Sequence, residues 1–396
     1  MNTPRLRFKD LGEINYPEWE WKKIEDCCLL IKDGTHGTHK DVIAGIPLLS
    51  AKDIYENSVH IPFDARKISE HDYKKIYSKY ELKKEDVLIT IVGTLGRTAI
   101  IDSNTPRIAF QRSVAVMRPS TQLITAKYLN YVCNSHNFQN EIEIRKKKGA
   151  QPGIYLGELS SISIPVPSLP EQQKIADFLS SYDEKISIQR ERVEALERRK
   201  KGLLQKIFSQ EIRFKADDGS EFPEWVKKKL EDVVDFLDNQ RKPITASNRK
   251  KGMYPYYGAS GIVDYINAYL FTEELVLLSE DGANIIDRNY PVSFIASGKY
   301  WVNNHAHVLR CKSGNINKFI SEQLEMFDYS SFNTGTAQPK LNKETCRKLV
   351  LRIPVTSEQQ KIADFLTAID DQISIERERL STMETIKKSL LQGLFY

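Results

Sequence analysis

The chain has 396 residues, 40 % of them hydrophobic and 28 % charged, with a net charge of +5 at neutral pH. That length exceeds one compact core and implies two or more domains of ordinary soluble composition. No apolar run is long enough to cross a bilayer, and MNTPRLRFKD at the start lacks a signal-peptide core. Cys27, Cys28, Cys133, Cys311 and Cys346 are odd in number and lack metal-type spacing, so a reduced, cytoplasmic protein is expected.

The first elements in chain order are short. RFK at 7–9 precedes YPEWEWKKIED at 16–26. From 24 to 165, short apolar segments alternate with turns: IPLLSAKDI, DVLITIVG, RTAIID and SVAVMRP. They read as strands of a mixed, sheet-rich lobe. GTLGRT at 93–98 has two glycines without the spacing of a nucleotide-binding loop, so a tight turn between strands is expected. AQP at 150–152 and prolines at 165, 167 and 170 then lead into EQQKIADFL at 171–179.

A long helix starts there. Ile175, Leu179, Tyr182, Ile186, Val193, Leu196, Leu203 and Ile207 keep heptad spacing through 208, interrupted by Gln189 and Lys200. At 1.5 Å per residue, 38 helical residues span about 57 Å.

The chain then starts again. RFK returns at 213–215 and FPEWVKKKLED at 222–232. A second lobe over 230–354 contains LVLLSEDG, PVSFIAS and HAHVLRC. AQP recurs at 337–339 and EQQKIADFL at 358–366. At an offset of 187, residues 171–208 and 358–395 are identical at 23 of 38 positions. The repeat at the head of each half is offset by 206, so the first copy is longer by the difference, 19 residues. The second helix carries Ile362, Leu366, Ile369, Ile373, Leu380, Met383, Leu390 and Leu394, interrupted at matching places by Glu376 and Lys387. Neither narrow apolar stripe can be buried by one helix alone, so the two are expected to pack together, the alternative being that each packs separately on its own lobe. Duplication of the whole unit makes that pairing antiparallel and pseudo-two-fold. Phe178 and Phe365, outside the seam, are expected to cover a partner's surface. The two lobes, in contrast, show no continuous alignment. One duplicated frame holds two diverged readers.

Catalytic signatures are missing. The chain has no Asn/Asp-Pro-Pro-aromatic motif for a flipped adenine, no glycine-rich turn for S-adenosylmethionine and no GxxxxGK[ST]. Asp64 with Glu81-x-Lys83 mimics a nuclease pattern, as does Glu20-x-Lys22, but such triplets arise by chance in a chain this charged. His36-x2-His39 and His305-x-His307 lack the third and fourth ligands of a zinc site. Basic clusters at Arg145–Lys148, Arg198–Lys201, Lys227–Lys229 and Arg249–Lys251 are compatible with a polyanion partner. Base reading favours Arg or Lys for guanine and Asn or Gln for adenine. Polar residues placed near glycines, hence on loops, are Thr35, His36, Thr38, His39, Lys40, Arg97, Gln111 and Arg112 in the first lobe. In the second they are Tyr257, Ser260, Asn284, Lys299, Trp301, Asn303, Asn304 and His305.

The lobe–EQQKIADFL-helix–lobe–EQQKIADFL-helix order resembles the specificity subunit of Type I restriction-modification enzymes, and the resemblance covers essentially the whole chain. IPVPSLPEQQKIADFL and RIPVTSEQQKIADFL resemble the family's junctions between recognition domain and helix. IPLLSAKDI, EDVLITIVGTLGR, YYGASGIVDYI and WVNNHAHVL resemble segments recurring in its target recognition domains. The resemblance implies an α/β (α+β) chain with recognition domains at 1–169 and 213–356 and helices at 170–212 and 357–396, packed as an antiparallel coiled coil. It implies a non-catalytic subunit in which each lobe reads one half of a split double-stranded DNA site. Two modification (methyltransferase) subunits would dock on the helices, and restriction (endonuclease/translocase) subunits would join them, with no membrane involved. Cofactors belong elsewhere on this reading: S-adenosylmethionine on the modification subunit, ATP and Mg on the restriction subunit. A duplicated protein-interaction scaffold is the alternative, but its lobes should match as closely as its helices do.

Overall fold

The computed structural model describes residues 4–10, 12, 14–147, 149, 151–332 and 339–395. The chain divides into two compact units, residues 1–189 with 379–396, and residues 190–378. The boundary therefore cuts through both long helices rather than between lobe and helix. Each unit holds one lobe, the first half of one long helix and the second half of the other.

In the first unit, a four-stranded antiparallel sheet runs in the order Cys28–Asp33, Val114–Pro119, Val87–Thr90, Thr98–Ile100. A small second sheet sets Ile46–Leu49 between Lys67–Ile68 and a parallel partner, Ala109–Phe110. The ribbon Glu20–Lys23 pairs with Ser163–Val166, just ahead of the helix. The second unit repeats this plan. Its four strands follow the order Val234–Phe236, Ala306–Cys311, Leu275–Ser279, Ser293–Ala296. Its small sheet sets Lys251–Gly258 between Gly261–Ile266 and the parallel Trp301–Val302. Val226–Lys229 pairs with Val350–Ile353. Two lobes with no continuous sequence alignment thus share one fold.

The inner strands explain why VLIT and LVLLS read as solid apolar runs. Both faces of each sheet are covered, so all of Val87–Thr90 and Leu275–Ser279 is buried. Alternate side chains serve different cores. Val87 and Ile89 join the core that includes the helix Ala126–Cys133, whereas Leu88 faces Leu49 and Phe110. Val276 and Leu278 likewise face Phe319, and Leu275 and Leu277 face Val302.

The long helices run Leu169–Phe208 and Thr356–Phe395, 40 residues each, about 60 Å. The first starts two residues ahead of the repeat because proline is tolerated at Pro170 in its first turn. Ile175, Leu179, Ile186, Val193, Ile362, Leu366 and Ile373 are buried as the heptad requires. Near the end of the first helix the spacing shifts, and Leu204 rather than Leu203 takes the buried place.

Within each unit the helix halves are antiparallel, and the residues that break the heptad join them. In the second unit Arg192 pairs with Glu376 at 3.0 Å and Lys200 with Asp370 at 2.8 Å. In the first unit Lys387 pairs with Asp183, the same contact with the two copies exchanged.

Every residue of EQQKIADFL has a role visible in both units. Buried Glu171 holds the Arg7 guanidinium through two bonds of 3.0 Å; buried Glu358 holds Arg213 at 3.3 and 3.0 Å. Gln172 accepts from the Thr125 N–H and donates to the Leu123 and Pro167 carbonyls. Gln359 does the same with Ile316 N–H and the Gly314 and Pro354 carbonyls. Gln173 and Gln360 donate to Asp177 and Asp364 one turn on, at 2.7 Å. Lys174 and Lys361 donate to the Lys9 and Lys215 carbonyls, and the Ile, Ala and Leu positions are buried.

Phe178 and Phe365, expected to cover a partner, also meet Phe8 and Phe214 edge-on at ring distances of 5.4 and 5.5 Å, and Phe365 stays 37 % exposed. The two RFK segments are clasps. Each ties the chain ahead of a lobe to the head of that lobe's helix.

Candidate nucleic-acid interface

Three backbone segments converge at one end of each lobe's main sheet: the turn after the inner strand, the turn after the short parallel strand, and the AQP segment. Their hydrogen bonds match one for one. Gln111 N–H donates to Leu49 O at 2.8 Å, and Asn303 N–H to Tyr257 O at 3.0 Å. Ile91 N–H donates to Ser113 O, and Glu280 N–H to His305 O. Gly93 N–H donates to Pro152 O, and Gly282 N–H to Pro339 O. Both glycines need their freedom, with φ of +83° and +110°. GTLGRT is therefore the expected turn between strands, and the proline of each AQP closes the corresponding turn; Ala150, Ala337 and Gln338 lie outside the described residues.

In the first lobe Gly34 packs against this frame so closely that a Cβ there would lie 2.2 Å from Phe110 O. That approach brings Thr35 beside Gln111, with Thr35 N–H donating to Phe110 O and Arg112 N–H donating to Thr35 O. Thr35, Gln111 and Arg112 are thus brought together. Thr35 Oγ1 lies 2.8 Å from His39 Nε2, and His39, buried and 3.3 Å from Asp72, is a packing residue rather than an exposed donor. His36 sits on Asp33 at 2.5 Å. Thr38 and Lys40 are exposed on the same loop. Arg97 lies at the foot of the glycine turn, its N–H on Thr90 Oγ1 and its guanidinium 3.4 Å from Ile54 O.

In the second lobe most of the expected donors are occupied. Asn303 is buried and its Oδ1 accepts from His305 N–H at 2.7 Å, shaping the turn. His305 rests on Asp281 at 2.8 Å. Trp301 Nε1 donates to Lys242 O, and both ends of the Asn284 amide bind the Tyr290 backbone. Tyr257 stacks on Phe294, and Lys299 lies over the Tyr269 ring. Ser260 and Asn304 are exposed.

Beneath this turn lies a charged network that pattern reading missed. His307 is buried between Asp238, 2.8 Å from Nδ1, and the Leu341 carbonyl, 2.8 Å from Nε2. Both ring nitrogens face acceptors alone, which requires the imidazolium. Burial opposes that charge, but the bonds to Asp238 and Cys346 outweigh it and push His307 up to about 10. Burial likewise works against ionised Asp238, yet His307 holds its carboxyl below the usual range. Arg241 joins the cluster, donating to Glu280 at 2.7 Å and to Ala306 O at 2.6 Å. The spacing His305-x-His307 was the only sequence signal here, and its two rings serve separate partners.

The basic clusters are partly neutralised by neighbours: Arg145 by Glu141, Arg198 by Glu194, Lys229 by Glu231 and Arg249 by Asp264. Lys148 lies outside the described residues. Among the described residues no group of three or more His, Cys, Asp or Glu could hold a metal ion, and no helix is long and apolar enough to cross a membrane.

The sequence model of the family described as "Type I restriction modification DNA specificity domain" matches twice, over residues 17–198 and 223–385. The putative type I restriction enzyme MjaX specificity subunit of Methanocaldococcus jannaschii is 26 % identical over 97 % of this chain and 94 % of that protein. A putative type I specificity subunit of Haemophilus influenzae is 39 % identical over 38 % of this chain and 39 % of that protein. In fold, the chain is similar to the crystal structure of the Type-I restriction-modification system S subunit from M. genitalium, with a TM-score of 0.61 at 16 % identity, covering 100 % and 99 % of the two chains.

Proposed function

Since this chain belongs to the Type I restriction-modification DNA specificity family, we propose that each of its lobes reads one half of a bipartite, asymmetric DNA site through the end where the three turns converge. The chain is a specificity subunit, and chemistry resides in the other subunits of such systems. Two modification subunits dock on the helical frame on this reading, one per copy of the repeat, and restriction subunits join that core. They bring S-adenosylmethionine, and ATP with Mg, respectively.

One observation carries the reading. The two lobes keep the same backbone hydrogen bonds around the converging turns while the side chains on those turns differ, Gln111-Arg112-Ser113 in one and Asn303-Asn304-His305 in the other. Meanwhile the clasps and helix heads stay identical. A scaffold has no reason to keep its clasps and helix heads while its lobes diverge; a pair of readers does, because phosphate contacts position a protein and base contacts specify its site.

The test is methylome sequencing of a host expressing this chain with its modification partner. A methyladenine motif with two separated halves supports the reading. Labelling of DNA by the isolated chain with S-adenosylmethionine would refute it.

A further inference from the structure

The matched turns allow a finer assignment. In each lobe the turn after the short parallel strand has three residues, and the hydrogen bonds fix their equivalence: Gln111 with Asn303, Arg112 with Asn304, Ser113 with His305. The first residue of each turn is anchored by its N–H to the neighbouring strand and the third by its carbonyl to the inner strand's end. The middle residue lies between two fixed points. Its backbone is held as well, Arg112 N–H by Thr35 O, and Asn304 O by Arg241 at 3.4 Å. Both side chains are exposed, and neither makes a hydrogen bond or ion pair among the described residues. Around them several polar groups are committed, His36 to Asp33, Asn303 to the turn itself, His305 to Asp281 and Trp301 to Lys242 O, while Thr38, Lys40 and Ser260 are exposed but lie off these two turns. A rigid backbone carrying an exposed, uncommitted side chain at its middle position is the arrangement that positions a reader accurately.

Building on the proposed function, we propose that Arg112 and Asn304 are the equivalent base-reading residues of the two lobes, with Arg112 selecting a guanine in one half-site and Asn304 an adenine in the other. The chemistry follows from donor pattern. A guanidinium places two donors against guanine O6 and N7, whereas a carboxamide offers one acceptor and one donor, matching adenine N6 and N7. The sequence difference between the lobes at this one place would then translate directly into different bases in the two halves.

The experiment expresses the full chain, wild type, Arg112→Ala or Asn304→Ala, with its modification partner and maps methylation across the genome. Arg112→Ala should make one guanine position of the first half-site degenerate, on the order of tenfold or more in preference, and leave the second half unchanged. Asn304→Ala should do the same to one adenine position of the second half only. Relaxation in the wrong half, or an even loss over all sites with no position relaxed, would overturn the assignment and mark these residues as phosphate contacts. If a variant methylates too little to map, competition binding of the assembled complex to duplexes substituted base by base reads the same preference. A preference lost at one position supports the assignment, and one retained throughout overturns it. Failure of the wild type itself to give a two-part motif would instead sink the proposed function, so the two failures are distinguishable.

Discussion

Replacing Glu358 by glutamine tests whether the repeated clasp holds lobe to helix. The Glu358 side chain is fully buried, and Arg213 is 17 % exposed. Its oxygens accept from Arg213 at 3.3 and 3.0 Å and from Trp225 Nε1 at 3.1 Å. Glutamine keeps the shape but removes the charge and turns an NH2 toward a donor. Hydrogen bonds to charged groups contribute about 1.5–3 kcal/mol each, and breaking a buried pair costs about 3–5 kcal/mol. Because the arginine is part-exposed, a loss of about 3 kcal/mol is expected. Arg213 also touches Glu224 at 3.3 Å, but that carboxylate is 89 % exposed, so Glu224→Gln should cost about 0–0.5 kcal/mol. In the first unit Trp19 Nε1 has no acceptor among the described residues where Trp225 has one, so Glu171→Gln should cost about 1 kcal/mol less than Glu358→Gln. Scanning calorimetry resolves this, since at about 2–4 °C per kcal/mol for a unit of this size Glu358→Gln lowers Tm by roughly 6–12 °C. Equal shifts for Glu358→Gln and Glu224→Gln would refute the clasp.

Further outcomes follow from the same contacts. Gln359→Leu leaves the part-buried Ile316 N–H and the buried Pro354 carbonyl unpaired and should cost about 2–4 kcal/mol in urea unfolding, with Gln172→Leu losing a similar amount. His307, raised above its unfolded value of about 6.5, stabilises fully below that pH and loses its contribution as pH climbs through about 10. The gap between wild type and His307→Gln in urea unfolding should therefore be widest at pH 6 and close toward pH 10; a gap independent of pH would contradict the imidazolium. Burial disfavours ionised Asp370, but Lys200 and Lys318 prevail and hold it below the usual carboxylate range. Its contribution is present above about pH 4 and fades as pH falls through the lowered value, so wild type and Asp370→Asn should converge in acid. A chain of residues 1–215 lacks 379–396, which supply Leu394 and Phe395 to the first unit's core. The matching Ile207 and Phe208 of a second copy can fill that place, so light scattering should show a two-fold dimer, and a stable monomer would contradict the pairing.

Repetition made the helical frame legible. Identical spelling at a fixed offset, with a heptad seam, yields two antiparallel helices once the duplication is seen, and buried Ile175, Leu179, Ile362 and Leu366 are where the spacing puts them. The shared fold of the lobes was not legible, because it is written in backbone hydrogen bonds such as Gly93 to Pro152 and Gly282 to Pro339, which constrain glycine and carbonyl placement but few side chains. The site was half legible. Loops rich in Gly, Asn and His were located from turn chemistry, but pattern cannot tell a free side chain from a spent one. His39, Asn303 and Trp301 are occupied by partners 4, 2 and 59 residues away, whereas Arg112 and Asn304 have no partner among the described residues. The ring contacts of Phe178 and Phe365 were missed for the same reason: Phe8 and Phe214 lie about 150 residues or more upstream.

The central claim is that two lobes of one fold read two different half-sites. Exchanging residues 24–165 for the corresponding lobe of another member of the family, and mapping methylation in a host that supplies the modification partner, tests it most directly. The account predicts that one half of the methylated motif changes while the other half is retained. A motif altered in both halves, or in neither, would contradict it.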